Sequence, residues 1–123
     1  MTKLSESIIN FKKLTRLYIY DNKITKIENL ETCVNLQRLY IERNMIRKLE
    51  GLQNCTRLEE LTLQEQRLPR NVVFEFDEYS LAAIANTLYV LNLANNQLVN
   101  CKQLYFCDRL ETLNLRGNWI DDF

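Results

Sequence analysis

Acid–base or nucleophilic chemistry in this chain would have to come from carboxylates and thiols, because the sequence has 16 Asp and Glu and 4 Cys but no His. The absence of histidine excludes Ser–His–Asp and Cys–His nucleophile systems and histidine-ligated metal sites. Three carboxylates, Asp21, Glu42 and Glu65, could line one groove, but they lie beside arginines and no nucleophile converges with them. We therefore expect solvated ion pairs there, and neither an enzyme active site, a metal nor a cofactor.

The spacing of leucines sets the organisation of the chain, because one template recurs along nearly its whole length. Copies begin 22 residues apart at Leu14, Leu36 and Leu58, and again at Leu88 and Leu110. Only the step from the third copy to the fourth is longer, by eight residues. The copies follow Leu-x-x-Leu-x-(Ile/Leu)-x-x-Asn-x-(Ile/Leu), with one exception at the asparagine. This pattern is the signature of a leucine-rich repeat.

Each copy predicts one short strand and one turn. Alternate apolar residues point inward from a strand, and stacked copies pair their strands in parallel and share one core. An asparagine at the turn can satisfy unpaired backbone groups, and its column is Asn22, Asn44, Asn96 and Asn118. Gln66 holds the third position, and its extra methylene predicts a distortion of the column there.

The whole chain, 1–123, is thus predicted to be one α/β domain, a right-handed leucine-rich repeat solenoid. Short parallel strands would form the concave face, and 3₁₀ or short helices the convex face. Residues 1–13 would cap the first repeat, with Leu4, Ile8 and Phe11 on one helical face. The last copy reaches Phe123 without a polar cap, so we expect either a fragment or self-association or partner binding through that end.

The eight extra residues of the third copy fall between Pro69 and Thr87. Asp77 can cap a helix running from Tyr79 to Ala85. The third copy is therefore predicted to replace its short convex turn with a true helix.

The cysteines also repeat at predicted core positions. Cys33, Cys55 and Cys107 occupy the twentieth position of their copies, and Cys101 occupies the fourteenth. Small apolar side chains with free thiols are expected there, and no disulfide or metal site.

The charge balance and hydropathy limit the partners. Lys and Arg equal Asp and Glu at 16 each, and no apolar run has the length of a membrane span or the character of a secretion signal. We therefore expect a cytoplasmic protein that binds neither nucleic acid nor membranes.

The 22-residue copies resemble those of the SDS22-like leucine-rich repeat proteins, which include regulatory subunits of protein phosphatase 1, outer-arm dynein light chain 1 and centrosomal or ciliary scaffolds. The most specific segment is Gln66–Pro69, then Phe74, Phe76–Asp77 and Ser80–Leu81, and finally Leu88 to Asn96. The resemblance implies a non-catalytic adaptor that binds the phosphatase catalytic subunit near microtubule-organising structures, at the cytoskeleton, centrosome or cilium. The alternative it offers is an axonemal or cytoskeletal scaffold that holds tubulin or a dynein component without the phosphatase.

A protein partner is expected on the concave face, where the first two copies combine tyrosines with charges, the residue types that anchor interfaces. The predicted protein-binding residues are Arg16, Tyr18, Tyr20, Arg38, Tyr40, Glu42, Gln64 and Arg116. The alternative is that strand tyrosines only stack across neighbouring strands for stability. The later copies are smaller and more neutral there, which places a partner toward the N-terminal half.

A second candidate site is the inserted loop. Arg70, Val72 and Phe74 match a short motif by which regulators add a strand and two apolar anchors to protein phosphatase 1. The competing interpretation is that Val72 and Phe74 pack the interior of the longer repeat, in which case the motif could not bind without local opening.

Overall fold

The structure, a computed structural model, describes residues 1–121 and contains one five-stranded parallel sheet, one two-stranded parallel sheet and three short helices. In chain order the elements are a 3₁₀ helix at Glu6–Asn10, β1 (Arg16–Tyr18), β2 (Arg38–Tyr40), β3 (Lys48–Leu49), β4 (Glu60–Thr62), β5 (Glu75–Phe76), α1 (Glu78–Ile84), β6 (Val90–Asn92), a 3₁₀ helix at Lys102–Phe106 and β7 (Thr112–Asn114).

The larger sheet contains one strand from each predicted copy, in the order β1-β2-β4-β6-β7. Its register aligns the same template position in every strand, from Arg16 opposite Arg38 to Val90 opposite Thr112. The central leucine of each of the three middle strands is fully buried, whereas its neighbours in the strand are partly exposed. The predicted parallel solenoid sheet is confirmed, and every strand presents two side chains on its solvent-exposed side.

The asparagine column joins successive turns through hydrogen bonds between its side chains and the backbone. Asn44 is fully buried; its amide nitrogen donates to the carbonyls of Ile19 and Ile41 at 3.0 Å, and its oxygen accepts from the amide of Ile24 at 3.1 Å. Gln66 makes the equivalent bonds, accepting from Ile46 and donating to two carbonyls at 2.8–3.1 Å. The predicted distortion at Gln66 is wrong, because the longer side chain still reaches the same backbone groups.

The turn after each main strand requires a left-handed backbone, which the repeat pattern did not reveal. One residue per repeat, at the eighth position, has positive φ: Asp21, Arg43, Glu65, Asn95 and Gly117. Asn, Asp and Gly adopt this conformation at low cost, whereas Arg43 and Glu65 lack that advantage.

The longer third repeat forms the second sheet and the helix. β3 and β5 pair in parallel, with Leu49 opposite Phe76, and this pair was not predicted. Helix α1 follows, and the Asp77 carboxylate accepts from the amide of Ser80 at 3.0 Å, which confirms the predicted cap. Leu81 and Ile84 on this helix are buried in the shared core.

The apolar core is covered to different extents at the two ends of the solenoid. At the N-terminal end, the first 3₁₀ helix and the fully buried Leu4 lie against the first repeat. Phe11 is 57% exposed, so its predicted place on the inward helical face is wrong: it follows the last residue of the helix, outside its regular geometry. At the other end, the inward Leu113 of β7 is 39% exposed, whereas its counterparts in β2, β4 and β6 are fully buried.

Three of the four cysteines lie at buried core positions, as predicted, and the fourth is only partly buried. Cys33, Cys55 and Cys107 are buried, and Cys101 is half-buried. Burial raises the pKa of all three buried thiols, that of Cys55 to about 12, so they are poor nucleophiles.

Candidate protein-binding face

The candidate site is the solvent-exposed side of the five-stranded sheet, here called the sheet face. It consists of the first and third residues of each main strand and the residue two positions after each strand. Because neighbouring strands pair at the same template position, residues of successive copies that are far apart in sequence become neighbours on this face.

Two tyrosines form the centre of its N-terminal half. Tyr18 on β1 and Tyr40 on β2 are register partners, and their rings stack with centroids 4.8 Å apart and planes 13° apart. Tyr18 remains 56% exposed despite this stacking, whereas Tyr40 is half-buried. The cross-strand stacking expected of a purely structural role is therefore present, but it leaves one ring open as a flat apolar surface.

The Tyr40 hydroxyl is held by an acid on the next strand. It donates to the Glu60 carboxylate, and the Arg38 guanidinium lies 3.9 Å from the same carboxylate oxygen. The hydrogen bond to Glu60 favours the protonated phenol and raises the pKa of Tyr40 to about 12. Glu60 was not among the predicted binding residues, although its register position beside Arg38 could have indicated it.

The second carboxylate of the sheet face is also engaged. The Thr62 hydroxyl donates to Glu42 at 2.8 Å across β2 and β4. The neighbouring Gln64 is half-buried, and its side-chain oxygen is enclosed without a hydrogen-bond donor among residues 1–121. Glu42 and Gln64 therefore lie where predicted but offer a partner less than the tyrosines do.

A series of ion pairs borders the sheet face at the left-handed turns. Arg43 binds Asp21 through two nitrogens, at 2.6 and 3.2 Å, and lies 3.5 Å from Glu65. Its guanidinium is 6.0 Å from the centroid of the Tyr20 ring. The hydrogen bond from Arg43 lowers the pKa of Asp21, so this carboxylate stays ionised. The arrangement is the solvated charge pairing expected from the sequence.

The remaining predicted residues are separated. Arg16 is exposed on β1 beside the tyrosines, and within the described part of the chain it has no ion-pair or side-chain hydrogen-bond partner. Arg116 is also exposed but follows β7, at the opposite edge of the sheet. Between them, Ala94 is buried and Asn92 accepts from its backbone amide at 3.1 Å. The structure thus unites Arg16, Tyr18, Arg38 and Tyr40, and leaves Arg116 apart.

The two apolar anchors of the docking motif in the inserted loop are buried, as the packing interpretation predicts. Val72 is 8% exposed and Phe74 only 2%, with the Phe74 ring packed edge-on against Phe76 at 5.8 Å. Gln97 donates to the Val72 carbonyl and accepts from the Phe74 amide, which fixes the segment. Only Arg70 is exposed, because the longer repeat uses both apolar anchors to fill its own interior.

The C-terminal end of the sheet exposes an apolar surface that the sequence pattern only partly indicated. Tyr105 is 88% exposed and Phe106 75%, beside a cavity that Leu113 and Leu115 also line. Trp119 is 47% exposed. The repeat pattern predicts which leucines point into the core. It does not predict that Tyr105 and Phe106, on the second 3₁₀ helix, point outward.

Neither a metal centre nor a membrane span is present in the described residues. Across residues 1–121 no group of three or more His, Cys, Asp or Glu side chains could hold a metal ion. No helix in this part of the chain has the length and apolar character needed to cross a bilayer.

Comparison with known proteins agrees with this architecture. Residues 12–54 match the family model described as leucine-rich repeats in two copies. The structure is similar to a chain in the crystal structure of the Drosophila melanogaster SNF/U2A′ complex, with a TM-score of 0.74 and 26% sequence identity, over 98% of this chain and 72% of that one. A search of curated proteins gave no match. The chain therefore contains leucine-rich repeats and folds as a leucine-rich repeat solenoid.

Proposed function

We propose that this chain is a non-catalytic adaptor that binds a protein partner on the sheet face over β1 and β2. The observation that carries the proposal is the exposed Tyr18 ring, held flat by stacking on Tyr40 and flanked by Arg16. Tyr and Arg dominate the binding energy of protein interfaces because they combine rigid area with polar ends. The structural neighbour comes from a complex of two components, SNF and U2A′, which supports the same kind of role.

The partner that we propose first is the catalytic subunit of protein phosphatase 1. Support comes from the sequence of the longer third repeat, which resembles protein phosphatase 1 regulatory subunit 42, the testis leucine-rich repeat protein. Because Val72 and Phe74 are buried, we assign the proposed phosphatase contact to the sheet face and not to the loop motif. The proposed location is the cytoplasm near microtubule-organising structures, at the cytoskeleton, centrosome or cilium.

The second candidate function is an axonemal or cytoskeletal scaffold resembling dynein light chain 1. The observation that favours it is the apolar surface at the C-terminal end, with Tyr105, Phe106 and Trp119 exposed. An end of this kind suits assembly onto tubulin, a dynein component or a second copy.

The test is a binding titration against the phosphatase catalytic subunit and, in parallel, against tubulin. The unmodified chain is compared with Tyr18→Ala/Tyr40→Ala and with Tyr79→Ala, a control tyrosine that is 72% exposed on α1. Loss of two interface anchors should weaken binding by about thirtyfold or more, whereas Tyr79→Ala should change it little. Binding that survives in the double variant would refute the sheet-face adaptor. Binding of tubulin but not of the phosphatase would favour the scaffold.

A further inference from the structure

Some charged side chains on the sheet face have hydrogen-bond or ion-pair partners, and others have none among the described residues. Both of its carboxylates have partners from neighbouring strands: Glu42 accepts from Thr62, and Glu60 accepts from Tyr40. Arg38 is drawn toward Glu60, at 3.9 Å. Arg16, by contrast, is exposed and unpaired within residues 1–121. The unpaired charged group that this surface offers to an incoming molecule near the tyrosines is therefore the Arg16 guanidinium.

Basic residues also outnumber acidic residues over the wider surface around the tyrosines. The sheet face, the left-handed turn residues and the residues two positions after those turns together carry more bases than acids, although the chain is neutral overall. The six basic residues are Arg16, Lys23, Arg38, Arg43, Arg67 and Arg116, and the four acidic residues are Asp21, Glu42, Glu60 and Glu65. A compensating acidic groove lies elsewhere, lined by Glu28, Glu31, Glu50 and Asp77 with one lysine. Such a separation of charge steers a negatively charged segment toward the sheet face.

The geometry joins this free cation to an apolar surface. Arg16 and Tyr18 are two residues apart on β1 and therefore project from the same side of the sheet. The Tyr18 ring is fixed by stacking on Tyr40, so a side chain that packs on it meets a preorganised plane. A partner that satisfies both groups needs a carboxylate close to an apolar side chain.

We propose that the segment bound on the sheet face is an acidic stretch of protein, with one carboxylate on Arg16 and a neighbouring apolar side chain on the Tyr18 ring. This inference rests on the proposed function and specifies the chemistry of its partner. A nucleic acid could also use an arginine beside stacked aromatics. It is disfavoured because a nucleic acid carries a phosphate at every nucleotide, whereas Arg16 is a single unpaired cation beside the tyrosines within residues 1–121.

The experiment uses a library of random twelve-residue peptides displayed on phage, selected against the whole chain. Selected sequences should be enriched in Asp and Glu next to Leu, Ile, Phe or Trp. A synthetic copy of the best peptide is then titrated against the unmodified chain, Arg16→Glu and the matched control Arg70→Glu, an exposed arginine on the inserted loop. Each variant is first shown to fold by circular dichroism.

Arg16→Glu should weaken peptide binding about tenfold or more, and Arg70→Glu should leave it unchanged. Raising salt from about 0.05 to about 0.5 M should weaken binding to the unmodified chain and have little effect on Arg16→Glu. Selection of neutral or basic peptides, insensitivity to Arg16→Glu, or tighter binding of a dT20 oligonucleotide would overturn the inference. Insensitivity to Arg16→Glu combined with loss in Tyr18→Ala/Tyr40→Ala would overturn the acidic partner but leave the adaptor function standing.

Discussion

Replacing Asn44 by alanine should destabilise the fold far more than the same change at Asn22, although both hold the same template position. In the native fold the amide of Ile24 donates to Asn44 Oδ1 at 3.1 Å and has no other acceptor among the described residues. Asn44→Ala leaves this buried N–H unpaired, which costs about 1–3 kcal/mol. It also removes donors to the Ile19 and Ile41 carbonyls, both of which retain a second donor. The expected total loss is about 3 kcal/mol.

Asn22 provides the matched control because it lies at the covered edge of the sheet. Its amide donates to the carbonyls of Ile19 and Tyr20 at 3.2 and 3.0 Å, but its oxygen accepts no bond from residues 1–121. Asn22→Ala should therefore cost about 1 kcal/mol or less. The assay is equilibrium unfolding in urea, with both variants compared at equal denaturant slope. Equal losses in the two variants would refute the argument that the buried Ile24 amide sets the cost.

Three further predictions concern single residues. Gly51→Ala should lower the free energy of unfolding by more than about 2 kcal/mol in thermal or urea melts, because φ is +75° and a Cβ would meet a backbone carbonyl of the preceding repeat. In an ultraviolet pH titration Tyr40 should ionise near pH 12, and Glu60→Gln should lower its pKa; because the folded pKa is raised, this hydrogen bond stabilises the fold below about pH 10 and is lost as pH rises toward 12. Alkylation of the native chain followed by mass spectrometry should label the half-buried Cys101 before Cys55, whose thiol is buried and has a pKa of about 12.

The repeat architecture follows from the sequence because each template position has one physical role. In the three middle copies, the leucine that starts the copy and the leucine at the centre of its strand are fully buried. The main strands begin two residues after Leu14, Leu36, Leu58, Leu88 and Leu110. Side chains alternate between the two faces of each strand, and the strands recur every 22 residues in most of the chain. Together these two periods determine which side chains face the core. The Asp77 cap and the helix after it were predictable for the same reason, since capping is a local interaction.

Features that depend on contacts between copies were harder to predict. The β3–β5 pair joins Lys48–Leu49 to Glu75–Phe76 across the insertion, and no local pattern marks two-residue strands. The burial of Val72 and Phe74 depended on whether the longer repeat had space to fill, which the motif alone does not show. At the candidate site, the positions of the tyrosines were predictable, but the engagement of Tyr40 by Glu60 requires the actual side-chain geometry.

The proposed adaptor function requires that a protein partner occupies the sheet face over β1 and β2. The most direct measurement is an NMR titration of the isotopically labelled chain with the phosphatase catalytic subunit and, separately, with tubulin. We predict that the amide signals of Arg16–Tyr18 and Arg38–Tyr40 shift or broaden first, while those of α1, Glu78–Ile84, change little. Binding that perturbs α1 or the inserted loop and leaves the two strands unchanged would contradict the account.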